Sequence, residues 1–325
     1  MMSIPALEAV RTRFPKAHIT VLARPWVAEL YQGAAFCDQV LLYTPRPGFR
    51  DWHAKWRLSR VLKGIGFDAA LLLPNSFDSA IVPFLAGIPN RTGYARDGRS
   101  FLLTHAIARP PASGRHERFY YLELLQRAGW IDAMPSEENS SIRLRVEPRV
   151  FPRPVIGVSP GAAYGTAKRW LPERFAESAV TLARKFACDV LVFGTKDEAA
   201  VCDEVARLVS QQGVAAQSMG GRTGLREFIE SAAACRVFLT NDNGAMHIAA
   251  ALGIPTVAIF GATNHTTTGP TGPLAAVVRE KVDCSPYPHP CLRRECPIDH
   301  RCMKAVTAER VVAEALRLEA AGRRG

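Results

Sequence analysis

The chain has 325 residues, 48% hydrophobic and 22% charged, the balance of a soluble globular protein with room for two domains of about 150 residues. It has no low-complexity tract and no internal repeat, which excludes disordered, collagen-like and coiled-coil architectures. The net charge is +11 and unevenly spread: residues 1–150 hold 20 Lys and Arg against 13 Asp and Glu, and the remainder holds 21 against 17. A basic first half fits an anionic partner (nucleic acid, a phosphorylated substrate or an acidic membrane face) and fits equally a plain solvated surface.

Hydrophobic patterning alternates between strand and helix along most of the chain, which predicts parallel sheets covered on both faces. Ile4, Leu7, Val10 and Phe14 mark the apolar face of a first helix. Residues 18–22 read as a strand, 25–31 as a helix, 39–43 as a strand, 52–63 as a basic helix, 69–73 as a buried strand and 79–85 as a short helix. A helix over 116–128 closes this half. The polar, Pro-rich stretch 132–154 is the expected boundary between domains 1–150 and 151–325. The alternation then restarts: a strand at 155–159 and a helix opened by Pro172 with Phe175, Ala179, Leu182 and Phe186 on its inner face. A strand at 190–193 and a helical face of Leu225, Phe228, Ile229 and Ala232 follow, then a strand at 237–240, a helix at 245–252 and a strand at 256–260. Thr307 caps a last helix over 308–318. The uncharged stretch 243–278 is broken by Gly253, Pro255, Gly261 and Gly269, and its apolar part falls short of the roughly 20 residues a membrane span needs. No signal peptide is visible, so the expected location is cytosolic or peripheral to a membrane.

Three loops carry chemistry. Residues 159–170 lie between a buried strand and a helix, where open α/β sheets bind ligands. Gly161 and Gly165 permit close backbone approach, Ser159 and Thr166 offer hydroxyls, and Lys168 and Arg169 offer charge, a set suited to phosphate. The spacing is not that of a Walker loop, and a Gly-rich αβ loop with no ligand fits the same residues. Residues 240–247 also join strand to helix; Asp242 and Asn243 can cap the helix, and the N–H groups after Gly244 form an anion site. Capping alone would account for these side chains, and His247 alone would read as a core or capping histidine. Two such loops in one domain favour a bound nucleotide. The hydroxyl-rich loop 261–270 either lines the same crevice or is a plain exposed loop. No dinucleotide fingerprint, zinc-protease helix or nucleophile elbow occurs.

These loops, with Leu73-Pro74-Asn75-Ser76 and the run from Ala86 to Tyr94, resemble the ADP-heptose:lipopolysaccharide heptosyltransferases of glycosyltransferase family 9, in the family's motif order and over nearly the whole chain. The resemblance is nearest to the heptosyltransferase II members. It implies an α/β GT-B fold, two Rossmann-like doubly wound domains facing across a cleft. The second domain would hold ADP-heptose, and the first the lipid A-core acceptor, through a surface including Asn75 and Ser76. Carried over by motif, Lys168 would bind the donor diphosphate, Asp242 the donor sugar, and Asn243, Gly244 and His247 would lie near the diphosphate. Transfer would be direct and inverting, with no cofactor. A same-family enzyme with another nucleotide sugar or acceptor is the first alternative.

The family begins with a buried strand and a Gly-Asp loop whose aspartate is the proposed general base, and this sequence opens in the helix that follows. Asp38, Asp51, Asp68, Asp78 and Asp97 do not replace it by motif position. Either the start lies too far downstream, or the chain is a donor-binding pseudoenzyme lacking the base, whose loss typically costs roughly 100- to 10,000-fold in rate.

Arg46, Arg50, Lys55, Arg57, Arg60 and Lys63 are interleaved with Trp52, His53 and Trp56. Cations beside interfacial aromatics suit an anionic membrane surface; the other reading is a solvated helix with both tryptophans in the core. No nucleic-acid module accompanies the charge, and nucleic acid is not expected as a partner. Cys284, Cys291, Cys296 and Cys302 are spaced with six, four and five residues between them, with His289 and His300 interspersed. Structural zinc sites usually contain a closer pair, so reduced thiols, a metal site and disulfides all remain open.

Overall fold

The computed structural model describes residues 1–45, 49–111, 114–137, 140–286 and 290–323. The chain divides into two compact units, Met2–Ser140 and Ser141–Gly325, separated within the polar, Pro-rich stretch.

The first unit runs α1 (Ile4–Arg13), β1 (Thr20–Ala23), α2 (Pro25–Ala28), β2 (Gln39–Leu42), α3 (Phe49–Ile65), β3 (Ala69–Leu72), α4 (Phe77–Leu85), β4 (Asn90–Tyr94), β5 (His105–Ile107) and α5 (Arg118–Arg127). Pro5 sits in the first turn of α1, where a missing N–H costs nothing, and Ile4, Leu7 and Val10 are buried. Phe14 departs from the expected face: it lies just past the helix end, 37% exposed, edge-on to Trp130. The strands form two parallel sheets, β1–β2 and β3–β4–β5. Both rest on shared helical layers. Ile19 and Leu71 meet the α1–α5 cluster of Ala6, Val10, Leu122 and Leu125, while Leu41 and Ala70 meet the α3–α4 cluster of Leu62 and Val82. Among the described residues β1 and β3 each keep one edge without a strand partner, and Leu22 on β1 is 41% exposed.

The second unit runs β6 (Val155–Ser159), α6 (Pro172–Phe186), β7 (Asp189–Val192), α7 (Ala199–Gln211), β8 (Ala216–Ser218), α8 (Leu225–Ala233), β9 (Cys235–Asn241) and α9 (Gly244–Ala251). It continues through β10 (Thr256–Ile259), α10 (His265–Thr268), β11 (Ala275–Val278), α11 (Arg301–Ala305) and α12 (Ala308–Gly322). The six strands are parallel in the order β11-β10-β9-β6-β7-β8. That is a doubly wound sheet whose strand order reverses between β6 and β9. α6 turns Phe175, Ala179 and Leu182 fully into the core, and Phe186 packs at its margin. β6 carries Gly157 because Phe238 of β9 occupies the space a Cβ would need, 2.3 Å from Phe238 Cδ2. Phe238 in turn stacks on Phe193. No helix among the described residues is long and apolar enough to cross a membrane.

Candidate functional site

The reversal point of the second sheet sets the site. Ser159 is the register partner of Thr240, so the loops leaving β6 and β9 start side by side. Asn241 joins them: its Nδ2 donates to Pro160 O at 2.7 Å, and its Oδ1 accepts the Trp170 N–H at 3.0 Å, closing both ends of the 160–170 loop. Trp170 is fully buried and donates Nε1–H to Val306 O.

Lys168 and Asp242 meet here at 2.6 Å, 13% and 7% exposed, and the Thr263 hydroxyl donates to the same Asp242 oxygen at 2.6 Å. The 261–270 loop therefore reaches the site through Thr263. Lys168 Nζ also lies 4.7 Å from the Tyr164 ring centroid, and the Arg294 guanidinium lies 5.3 Å from it. Two cations thus share one aromatic ring in the loop that leaves β6.

Asn243 caps α9, accepting the Met246 N–H at 3.2 Å, while its Nδ2 donates to Ser159 Oγ at 3.1 Å and Gly161 O at 2.8 Å. Its side chain is thereby committed to shaping the two loops. The N–H groups of Gly244 and Ala245 open the helix, a position that favours negative charge. Gly244 is exposed, and His247, in the first turn of α9, is half-buried. Thr166 is exposed in the short helical turn that ends at Lys168.

Sequence reading missed two contributors. Glu198, buried beyond the end of β7, accepts from the Thr195 N–H and hydroxyl. Its carboxylate lies under Gly161, where a Cβ would stand 2.2 Å from Glu198 Cδ. The irregular segment before α11 is the other. Arg294 O accepts the Ala167 N–H at 3.0 Å, Leu292 O accepts the Tyr164 hydroxyl at 2.9 Å, and the Leu292 N–H donates to Ala262 O at 2.8 Å.

In the first unit Asn75 Nδ2 donates to the Tyr120 hydroxyl at 2.9 Å, and Ser76 is exposed just before α4. The Asn75 loop is held by Arg99, a fully buried guanidinium that donates to the Ser79 hydroxyl at 2.8 Å and to Pro74 O. Burial pulls the Arg99 pKa below its ordinary value. On α3, Trp52 and Trp56 are each 50% exposed, and Arg57, Arg60 and Lys63 are exposed with them. Leu58, Ser59 and Leu62 take the inner face, so neither tryptophan is a core residue. Lys55 separates from the other cations: it is buried between Asp51 and Asp78, and those carboxylates raise its pKa against the opposing effect of burial. Arg46, the Arg50 side chain and His289 lie outside the described residues.

The four C-terminal cysteines are free thiols. Among the described residues no three Cys, His, Asp or Glu side chains stand close enough to hold a metal ion.

The model of glycosyltransferase family 9 (heptosyltransferase) matches residues 55–301. Lipopolysaccharide heptosyltransferase 2 of Salmonella typhimurium is 33% identical over 293 residues, 86% of this chain and 84% of that protein. The structure of E. coli ADP-heptose LPS heptosyltransferase II superposes with a TM-score of 0.79 at 27% identity, covering 99% of this chain and 95% of that one. A glycosyltransferase of family 9 from Veillonella parvula superposes with a TM-score of 0.81 at 21% identity, over 98% and 93% of the two chains, a likeness of fold alone. The fold class is that of the GT-B enzymes.

Proposed function

The chain belongs to glycosyltransferase family 9, and from that premise we propose that it moves heptose from ADP-heptose to the inner core of lipopolysaccharide with inversion. One observation carries this reading: two loops leaving adjacent parallel strands converge on Lys168 and Asp242 beside the N-terminus of α9. In this reading the second unit holds the donor. Lys168, Arg294 and the Gly244 and Ala245 N–H groups take the diphosphate, which gains negative charge as the anomeric C–O bond breaks. Asp242 and Thr263 face the sugar. Glu198, beyond the strand next to β6, accepts from the ribose hydroxyls, as acidic groups in that position do in doubly wound folds. Ser159, Gly161 and Thr166 shape the loop around the phosphates.

The first unit takes the acceptor near Asn75 and Ser76, at the carboxyl end of β3. The exposed Trp52 and Trp56 with Arg57, Arg60 and Lys63 meet an anionic membrane at the cytoplasmic face, where a lipid-linked acceptor would lie. Calorimetric titration of the chain with ADP-heptose, and with UDP- and GDP-sugars as controls, tests the donor reading. Selective binding of the ADP-sugar is expected; a folded sample that binds none of them overturns it.

A further inference from the structure

Arg99 of the first unit is a fully buried cation, and every hydrogen bond it makes among the described residues goes to an uncharged oxygen. Its Nη2 is buried with no partner, in a space that Gly93 of β4 leaves open: a Cβ there would stand 3.0 Å from it. A guanidinium out of water without a carboxylate partner is costly, and packing alone would be served by an apolar side chain. What the charge holds is one loop. Nη1 donates to the Ser79 hydroxyl at 2.8 Å, to Pro74 O and, at 3.3 Å, to Ser76 O, while the Ser79 hydroxyl itself donates to Ser76 O at 2.6 Å. Nε donates to Tyr94 O, at the end of β4, at 3.1 Å. The Tyr94 hydroxyl donates to Tyr120 O at 2.9 Å, the two rings lie 4.5 Å apart, and the Tyr120 hydroxyl accepts from Asn75 Nδ2 at 2.9 Å. The circuit closes on Asn75: the carbonyls on either side of it are held by Arg99, and its side chain by Tyr120 of α5. Phe77, two residues on, meets Phe101, two residues beyond Arg99, with ring centroids 5.9 Å apart.

Ser76 and Phe77 are nonetheless exposed, so a buried charge supports a tip that faces solvent. A plain connection needs no such support, whereas a loop that presents side chains to a ligand in one geometry does. We propose that Arg99 is a positioning residue for transfer: it touches no substrate, and through the Pro74 and Ser76 carbonyls it fixes Asn75 and Ser76 in the shape that engages the acceptor. This rests on the reading above that the first unit takes the acceptor at this loop. The role needs the guanidinium fork, because separate nitrogens of one rigid plane reach β4 and the loop at once. A lysine cannot span both, and an apolar residue leaves the loop carbonyls without their donor, so in either case the loop samples other shapes.

The test compares the full chain with Arg99→Met, Arg99→Lys and Ser79→Ala at a temperature where all are folded. Amide hydrogen exchange over residues 75–79 reads the loop. Calorimetric titration with a deacylated inner-core oligosaccharide of lipopolysaccharide reads the acceptor without any membrane contribution, and titration with ADP-heptose is the control. Arg99→Met should speed exchange in this loop, weaken oligosaccharide binding roughly 10- to 100-fold and leave ADP-heptose affinity unchanged. Arg99→Lys should share the loss. Ser79→Ala should show a smaller loss in the same direction, and it decides alone if the Arg99 variants fail to fold. Unchanged exchange overturns the assignment whatever the affinities, and so does full oligosaccharide affinity in Arg99→Lys. Equal weakening of both ligands marks a general loss of structure and overturns it too. Faster exchange with undiminished oligosaccharide binding removes the acceptor from this loop, as does a wild type that binds ADP-heptose but no oligosaccharide; either result sinks the acceptor reading and this inference with it.

Discussion

Lys168 Nζ and the Thr263 hydroxyl converge on a single oxygen of Asp242, each at 2.6 Å, joining residues from three separate loops at one buried carboxylate. Lys168 is therefore already neutralised before any ligand arrives. In the proposed donor complex, a diphosphate would compete with Asp242 for it, and sugar hydroxyls would donate to Asp242 in the lysine's place.

The pair's burial gives its removal two readouts. Lys168→Met strands a buried carboxylate and should cost about 3 kcal/mol in urea denaturation. Asp242→Asn, which keeps shape and the Thr263 contact, should cost less. The double variant should recover most of the Lys168→Met loss, because no charge is left unpaired. All three should bind ADP-heptose at least tenfold more weakly by calorimetry. Undiminished binding by Lys168→Met would remove the lysine from the donor site.

Gly165→Ala tests the clamp on the donor loop. The added methyl would stand 2.1 Å from Arg294 O, a backbone atom that cannot swing aside. The segment before α11 must move, at a cost of about 1–3 kcal/mol. Limited proteolysis should cut first within residues 284–302, and donor affinity should fall with it; unchanged proteolysis would show that the clamp is not under tension.

Alkaline stability should report the buried thiols. Burial first, then the neighbouring Glu198 and Asp203 charges, push the Cys202 pKa up to about 12 from an ordinary value of 9.0. The folded state holds this proton more tightly than the unfolded one. Its contribution is fully present below pH 9 and lost as pH rises toward 12. At pH 10 the linkage costs about 1 kcal/mol. Urea denaturation at pH 8 and pH 10 should show wild type losing more than Cys202→Ala. Equal losses would place the alkaline sensitivity elsewhere.

Membrane docking through α3 is tested with vesicles of anionic phospholipid. Co-sedimentation should fall as salt rises. Arg57→Ala with Arg60→Ala should weaken it roughly 30-fold, at about 1 kcal/mol per cation. Trp52→Ala with Trp56→Ala should weaken it without changing the salt slope. Insensitivity to both pairs would assign the surface to solvent.

Fully buried strands were the legible part of the fold. β6, β9 and β10 read as short apolar runs bounded by polar or glycine residues because the sheet is covered on both faces. β4, with the sequence Asn-Arg-Thr-Gly-Tyr, and the three-residue β5 carry no such run. α7 did carry a signal: Cys202, Val205, Ala206 and Val209 recur at helical spacing, muted by small side chains. In the candidate site, Lys168 and Asp242 were readable because each lies in a loop that leaves a strand's carboxyl end and runs into a helix. Glu198 was not, because only strand order brings β7 next to β6. The carbonyls of Leu292 and Arg294 leave no trace in residue type. Nor could spacing decide which way the tryptophans of α3 face; the inner positions taken by Leu58 and Leu62 decide it.

Because those two carbonyls do the holding, the segment before α11 is permissive in one respect and strict in another. The side chain at Arg293 can drift without loosening the grip on Tyr164 and Ala167, since every residue type brings the same carbonyl, whereas Leu292, at φ +52° and donating its N–H to Ala262 O, disfavours β-branched residues and proline. Losing or gaining a single residue between Ala262's partner Leu292 and Arg294 would put the oxygens out of step with their donors. Length, rather than composition, is what selection must guard there.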